Sequence, residues 1–362
     1  MVSVLMPVLN GGAFLRPAID SVLAQRGPTF ELLIVDDGST DGSLELAEGI
    51  PDARVQVIRN ARRAGLAAAL NVGLARARGE LIARLDADDV AHPARLERQV
   101  DFLRSHPRIA LVGSRARLID ESGATIGMVE RCREEVSVRW YCLFDNPFIH
   151  SSVMFRRAEV FGALGGYDES LRLCEDWALW ARVLERHGAC NLDEPLVDYR
   201  FSAASITGAI ESSPSHPRRP LLEEITMRLI ARHTAQALGA DAVSPDEVRL
   251  MAGFLLGVDG AALGAFLRLF ARLLDAFLAR HPEARHSADF HRTVARQYDA
   301  VAYRVTPPRR RSALTVYAAA ARRGPAVARF LPWPRALTLA ILGRSGRDRL
   351  RRVRNASAAR TS

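Results

Sequence analysis

Over residues 1 to 130 the hydrophobic positions alternate between two rhythms. Short continuous apolar runs at Val2–Leu9, Leu32–Val35, Val55–Ile58 and Leu81–Leu85 predict buried strands. Between them the apolar positions fall at helical spacing. Phe14, Ile19, Val22 and Leu23 predict a helix over Ala13–Gln25, with Pro17 tolerated in its first turn. A second helix starts at Ser39 or Thr40, a third spans Leu66–Ala77 and a fourth Leu96–Leu103. Strands that alternate with helices argue for a mainly parallel α/β sheet covered on both faces.

From residue 110 to 205 the rhythm changes. Ile109–Asp120 and Thr125–Val129 predict a hairpin around Ser122-Gly123. Val153–Phe155 predicts a short strand, Asp176–His187 an amphipathic helix and Pro195–Phe201 a last strand, so this half adds a mixed sheet. Ser212–Pro220 has the composition of a linker. Beyond it the pattern is helical, over Leu221–Leu238, from Ser244-Pro245-Asp246-Glu247, over Ala261–Arg280 and over Ser287–Arg304. The Ser-Pro-Asp-Glu start combines a cap, a first-turn proline and a glutamate three residues on. Two short apolar segments follow, Leu314–Ala321 and Ala336–Leu342. The expected organisation is a domain over 1–205, a linker over 206–220, a helical appendage over 221–303 and a basic tail over 304–362.

Composition adds little until charge is divided along the chain. With 48% hydrophobic and 25% charged residues the chain is an ordinary globular one, which excludes pervasive disorder, collagen and a disulfide scaffold. The net charge is +9, and every basic residue is arginine, so any single arginine says little about function. Residues 304–362 hold 15 Arg against one acid, Asp348, which leaves the remainder net acidic. The basicity therefore suggests an anionic partner for the tail alone. Phe330-Leu331-Pro332-Trp333-Pro334-Arg335 and its flanking arginines suit an anionic membrane surface, with a solvated disordered tail as the alternative. Nucleic acid is not expected, because no recognised binding module accompanies the charge. Cys132, Cys142, Cys174 and Cys190 show no metal-finger spacing and predict reduced thiols in the cytoplasm. Neither a leader peptide nor an apolar stretch long enough to span a bilayer is expected.

Three carboxylate groups carry the candidate chemistry. Asp36-Asp37 follows a buried strand, where open α/β sheets bind ligands. The pair is placed to accept hydrogen bonds from a base or sugar, or to close a capping turn. Asp86-Ala87-Asp88-Asp89 also follows a strand. Three carboxylates in four residues repel one another unless a cation intervenes, and hard divalent ions take such oxygens. A solvated helix cap is the alternative. Glu175-Asp176 opens a helix with Trp177 and Trp180; the positive end would keep Asp176 ionised and able to take a proton, or the pair simply complements the dipole. Arg59, Arg62 and Arg63 could meet a diphosphate, and His150 precedes a strand. No GxGxxG follows the first strand and no GxxxxGK[ST] occurs, which argues against dinucleotide oxidoreductases and P-loop NTPases.

In order along the chain stand Val2–Asn10, Val35–Asp41, Asn60…Gly65-Leu66…Leu70-Asn71-Val72-Gly73, Gly79-Glu80, Leu85–Asp89, His150–Arg156, Gly165–Asp168 and Glu175-Asp176-Trp177. This succession strongly resembles the family 2 glycosyltransferases over residues 1 to about 205. The resemblance implies the GT-A fold, a Rossmann-like mixed sheet flanked by helices. It implies a nucleotide-sugar donor, UDP- or dTDP-linked, and inversion at the anomeric carbon. Asp37 would then contact the base, with Pro7, Leu9 and Asn10 lining the base and ribose pocket. Asp86 would lie near the ribose and Asp88 would bind Mn²⁺ or Mg²⁺. Asp176 would be the general base beside Glu175, and Arg63 and Asn71 belong to the donor-binding set. The implied acceptor is a hydroxyl of a glycan or a lipid-linked glycan, in cell-surface polysaccharide or glycoconjugate synthesis. Ser202 stands where many relatives carry the His of Tyr-Arg-x-His, which leaves Arg200 to supplement metal or phosphate binding. The competing classes are a catalytically silent scaffold of the same fold and a sugar-nucleotide nucleotidyltransferase. The three intact carboxylate groups speak against the first. Asn10-Gly11-Gly12-Ala13 does not look like the phosphate loop the second requires.

Overall fold

Every residue of strand β1 (Val2–Val8) is buried, and so is every residue of β2 (Phe30–Asp36) and β4 (Leu81–Arg84). Such runs arise only where helices cover both faces of a parallel sheet. The computed structural model describes residues 1–60, 62–202, 216–256, 258–306 and 310–331. Helices α1 (Leu15–Leu23), α2 (Ser43–Glu48) and α3 (Leu66–Arg76) alternate with these strands and with β3 (Val55–Arg59). β1 lies parallel to both β2 and β4, with Val2 opposite Phe30 on one side and Leu81 on the other. After β4 come the two-residue β5 (Val90–Ala91), α4 (Arg95–Ser105), β6 (Ile109–Ile119), β7 (Thr125–Val129), α5 (Glu135–Tyr141), β8 (Met154–Arg156), α6 (Glu175–Arg186) and β9 (Gly188–Arg200).

Among the described residues these strands form one sheet in the order β3-β2-β1-β4-β8-β6-β9-β5, with β7 paired to β6. The chain winds one way from β1 to β3 and then crosses back to place β4 on the other side of β1. In such sheets the ligand crevice lies outside the carboxyl ends of the strands at that reversal. The chain segments that leave β1, β2 and β4 there are Leu9–Gly12, Asp37–Asp41 and Leu85–Asp89. β8 is antiparallel to β4 and β6, whereas β9 is parallel to β6 through a register broken by bulges.

The chain divides into two compact units. One comprises the described residues within 1–142 and 146–225, the other those within 143–145 and 226–362. The second unit is helical, with α7 (Arg219–Leu238) entering it, then α8 (Pro245–Leu256), α9 (Leu263–Arg280), α10 (Ala288–Arg304), α11 (Arg310–Ala321) and α12 (Pro325–Ala328). The expected capping box forms at α8: the Ser244 N–H donates to Glu247 at 2.9 Å and the Glu247 N–H to Ser244 Oγ at 3.3 Å. Ser287 caps α10 through the Phe290 N–H at 2.8 Å. The aromatic core of this unit includes Phe266, Phe270, Phe277, Phe290 and Tyr298. Among the described residues no helix is long and apolar enough to cross a membrane. Most of the expected linker and residues 332–362, including Pro332–Arg335 and the segment Ala336–Leu342, lie outside the described residues.

Candidate active site

The first wall is built by Asp37, buried at the carboxyl end of β2. Its Oδ1 accepts from Asn60 Nδ2 at 2.8 Å and from the Ala64 N–H at 2.9 Å, and its Oδ2 from the Gly65 N–H at 2.8 Å. The carboxylate thus shapes the loop that leads into α3, and that loop carries Arg62 and Arg63, both exposed. A carboxylate offers about four acceptor positions, so one remains open. Arg59 is taken by a surface ion pair with Glu48 at 2.7 Å.

Beside this wall, Pro7 is buried near the end of β1 while Leu9 and Asn10 are exposed. Asn10 has a left-handed backbone, φ +56°. Its N–H donates to Ser39 Oγ at 2.9 Å and its Oδ1 accepts from the Thr40 N–H at 2.8 Å. Those bonds staple the turn after β1 to the turn after β2. Asn71 points elsewhere. Its Nδ2 donates to the Tyr167 carbonyl at 2.8 Å and to Glu169 at 2.9 Å, and its Oδ1 accepts from the Tyr167 N–H at 2.9 Å. It ties α3 to the 166–169 turn.

The acidic loop after β4 forms the floor. Asp86, Asp88 and Asp89 each place an oxygen within 4.8 Å of the others. Burial, then the charge of Asp86, pushes the Asp88 carboxyl up to about 6. The same two causes, joined by Asp88, raise Asp89 well above the usual carboxylate range. Asp89 Oδ1 accepts from the Arg200 N–H at 2.7 Å, while its buried Oδ2 has no partner within hydrogen-bond geometry among the described residues. Mutually repelling oxygens with an orphaned acceptor fit a hard divalent cation such as Mn²⁺ or Mg²⁺. Arg200 Nε donates to the Asp88 carbonyl at 2.8 Å and Nη1 to the Asp120 carbonyl at 2.7 Å, and the guanidinium covers the Phe14 ring. It frames the loop from behind.

A buried arginine that the sequence pattern did not single out lies under this floor. Arg84, the last residue of β4, makes a two-pronged ion pair with Asp86. Ser151 joins it, accepting from Arg84 at 2.9 Å and donating to Asp86 Oδ2 at 2.8 Å. Removing either charge would strand the other, so the pair fixes where Asp86 points.

The third carboxylate group stands at the start of α6, near enough for the charges of Arg84 and Asp86 to act on Glu175. Cys174, φ +59°, is with Asn10 one of two non-glycine residues with positive φ among those described. It turns the chain so that Glu175 and Asp176 occupy the helix's first turn. Asp176 Oδ1 accepts from the Trp177 N–H at 2.7 Å and Oδ2 from Asn146 Nδ2 at 2.6 Å. Burial raises its carboxyl, against the pull of those two donors and of Arg84. Glu175 is pushed up to about 7, by burial first and by Asp176 second. His150 Nδ1 is 3.8 Å from Asp176 Oδ2 and its Nε2 is 2.9 Å from the Tyr167 hydroxyl. Burial and the charge of Arg84 hold this imidazole well below its usual range, so it is neutral.

Residues 3–161 match the family model described as glycosyl transferase family 2. EpsE of Bacillus subtilis (strain 168) is 34% identical over 223 residues, which cover 59% of this chain and 79% of EpsE. The chain belongs to the family 2 glycosyltransferases. The O-antigen biosynthesis glycosyltransferase WbnJ of Escherichia coli is 31% identical over 212 residues, covering 56% of this chain and 80% of WbnJ. The succinoglycan biosynthesis protein ExoO of Rhizobium meliloti is 33% identical over 213 residues, covering 55% and 60%. The fold also matches that of TarS 1–349 from S. aureus in complex with UDP-GlcNAc, with a TM-score of 0.53 at 18% identity and coverage of 91% and 89%. The sheet and its flanking helices are therefore of the GT-A type. In this glycosyltransferase the expected carboxylates Asp37, Asp86, Asp88, Glu175 and Asp176 all lie in one compact unit. Arg84, Asn146, Ser151 and Tyr167 complete the arrangement. Ser151 and Tyr167 lie inside the stretches His150–Arg156 and Gly165–Asp168 but carry no expected role there, whereas Arg84 and Asn146 lie one and four residues outside a motif.

Proposed function

We propose that this glycosyltransferase moves a sugar, with inversion, from a nucleoside diphosphate donor to a hydroxyl of a glycan or lipid-linked acceptor. The observation that carries this reading is the pair Glu175-Asp176 at the start of α6, with Glu175 buried and Asp176 partly buried and held by two donors. It is joined by an acidic triad after β4 that suits a divalent cation. The relatives in O-antigen and succinoglycan synthesis support a polysaccharide product. TarS, which shares the fold, binds UDP-GlcNAc and supports uridine donors in the first screen.

In this reading the acceptor oxygen attacks the anomeric carbon as the bond to the phosphate oxygen breaks on the far side. Asp176 takes the acceptor's proton, and the nucleoside diphosphate leaves with the bonding pair. One base suffices for this in-line step. Asp88 and Asp89 would hold Mn²⁺ or Mg²⁺, which when bound neutralises charge on the diphosphate. Asp37 keeps one acceptor position for a base N–H, and the loop it braces offers the exposed Arg63. Pro7, Leu9 and Asn10 border the same crevice, with Asn71 acting from behind through the 166–169 turn.

A panel of UDP- and dTDP-sugars, with and without Mn²⁺, tests the proposal by release of the nucleoside diphosphate. At least one donor should turn over, and Asp176→Asn should reduce that turnover by about 10²–10⁴-fold while UDP still raises the melting temperature. Absence of both donor binding and turnover across the panel would favour the scaffold instead.

A further inference from the structure

Asn146 faces the base from outside the motifs. We infer that Asn146 is a positioning residue for the transfer, whose amide is locked at one end by its own turn and at the other holds Asp176 Oδ2 toward the acceptor. This rests on Asp176 being the base. The orientation of the amide follows from two of its partners. Asn146 Oδ1 accepts from the Phe148 N–H at 3.1 Å, across Pro147, and Nδ2 donates to Asp176 Oδ2 at 2.6 Å. A flipped amide would set two acceptors against each other at one end and two donors at the other. Proline between the two residues restricts the turn further.

The Trp177 N–H occupies Oδ1 of Asp176, so among the described residues the hydrogen bond to Oδ2 comes from Asn146. His150 Nδ1, at 3.8 Å, is too far for a hydrogen bond. The other charged and titratable groups around the base are Glu175 on α6, Arg84 and Asp86 at the end of β4, and Tyr167 from the 166–169 turn. Among them Arg84 and the two hydrogen-bond donors favour the ionised carboxylate, while burial and Glu175 oppose it. A short bond from a fixed amide is strongest to the charged form. Losing it raises the pH at which Asp176 can accept a proton.

The test is the dependence of kcat on pH for nucleoside diphosphate release by the full chain, with Mn²⁺ and whichever panel donor the wild type turns over. Asn146→Ala should move the acid limb upward by about one pH unit and lower kcat about tenfold on that limb, with donor KM within about twofold. Asn146→Asp keeps the side chain's size and the Phe148 bond but sets a second carboxylate against Asp176. It should move the limb further up, and it carries the test if the alanine variant does not fold. A purely structural role would lower kcat equally at every pH. A wild-type limb in Asn146→Asp, while Asp176→Asn is inactive, overturns the inference. Turnover retained by Asp176→Asn instead removes the base assignment itself, and a shift in the Asn146 variants then has no bearing on it.

Discussion

Glu175 gives the fold a pH dependence that can be isolated. Burial, with the adjacent Asp176, pushes its carboxyl up to about 7, against 4.5 for the free group. The folded chain therefore keeps a proton that the unfolded chain releases between those values. Stability from this group is fully present below pH 4.5 and is lost as pH rises through about 7. The gap corresponds to on the order of 3 kcal/mol. Glu175→Gln, neutral throughout, should lack that slope. Between about pH 5 and about pH 8 the urea midpoint of the wild type should fall further than that of the variant. Parallel falls would exclude Glu175 as the source. The carboxylates were legible in the sequence because acids directly after an apolar run are conspicuous. Arg84 was not, because a chain whose basic residues are all arginine hides a buried one among the solvated. Asn146 was equally silent, since an amide in a turn follows no period and its partner lies 30 residues away.

At the scale of elements, Gly79 sets how closely β4 can start beside β1. Its N–H donates to Ser3 Oγ at 2.8 Å, and Ser3 in turn donates to the buried Glu31 at 2.6 Å. A Cβ at Gly79 would meet the Ser3 backbone nitrogen at 2.5 Å. That nitrogen cannot retreat, because β1 is held in register by β2 and β4 at once. Gly79→Ala should cost about 1–3 kcal/mol, whereas Gly162→Ala, with nothing within 4 Å of its Cβ, should stay within about 0.5 kcal/mol. Denaturant midpoints of the two variants decide it; equal midpoints would show that β1 and β4 can part. The clash lies at the amino ends of the strands, away from the carboxyl-end crevice, so UDP should still protect the folded Gly79→Ala protein. The strands β1 to β4 were readable as continuous apolar runs, since both faces are buried. β9 was not. The pattern gave Pro195–Phe201, while the strand runs Gly188–Arg200, because Asp193, Glu194 and Pro195 fall where its register against β6 shifts. α5, of seven residues, is too short to display a helical period.

At the scale of the whole molecule, the place to divide the basic segment is set by packing. Arginine density begins near Arg304, and that point marked the expected tail. Yet α11 buries Ala313, Val316, Tyr317 and Ala320, and Val327 and Leu331 are buried beyond it. Tyr317 donates to Asp299 on α10, and Arg323 pairs with Asp275 on α9. A chain ended near Tyr303 would strip these residues from the core of the helical unit, and any lost binding would then report unfolding. Ending the chain at Leu331 keeps every one of these residues. The removed segment, 332–362, still holds eight Arg against Asp348 alone, with Trp333 and the apolar run Ala336–Leu342. Basic residues near an anionic surface contribute about 1 kcal/mol each and are screened by salt. The full chain should therefore co-sediment with vesicles containing phosphatidylglycerol at low salt and be released as salt rises. The chain ended at Leu331 should stay in the supernatant, with an unchanged melting temperature and unchanged donor turnover. Equal sedimentation of the two chains would remove the segment as a membrane anchor and leave the rest of the chain to find its acceptor without it.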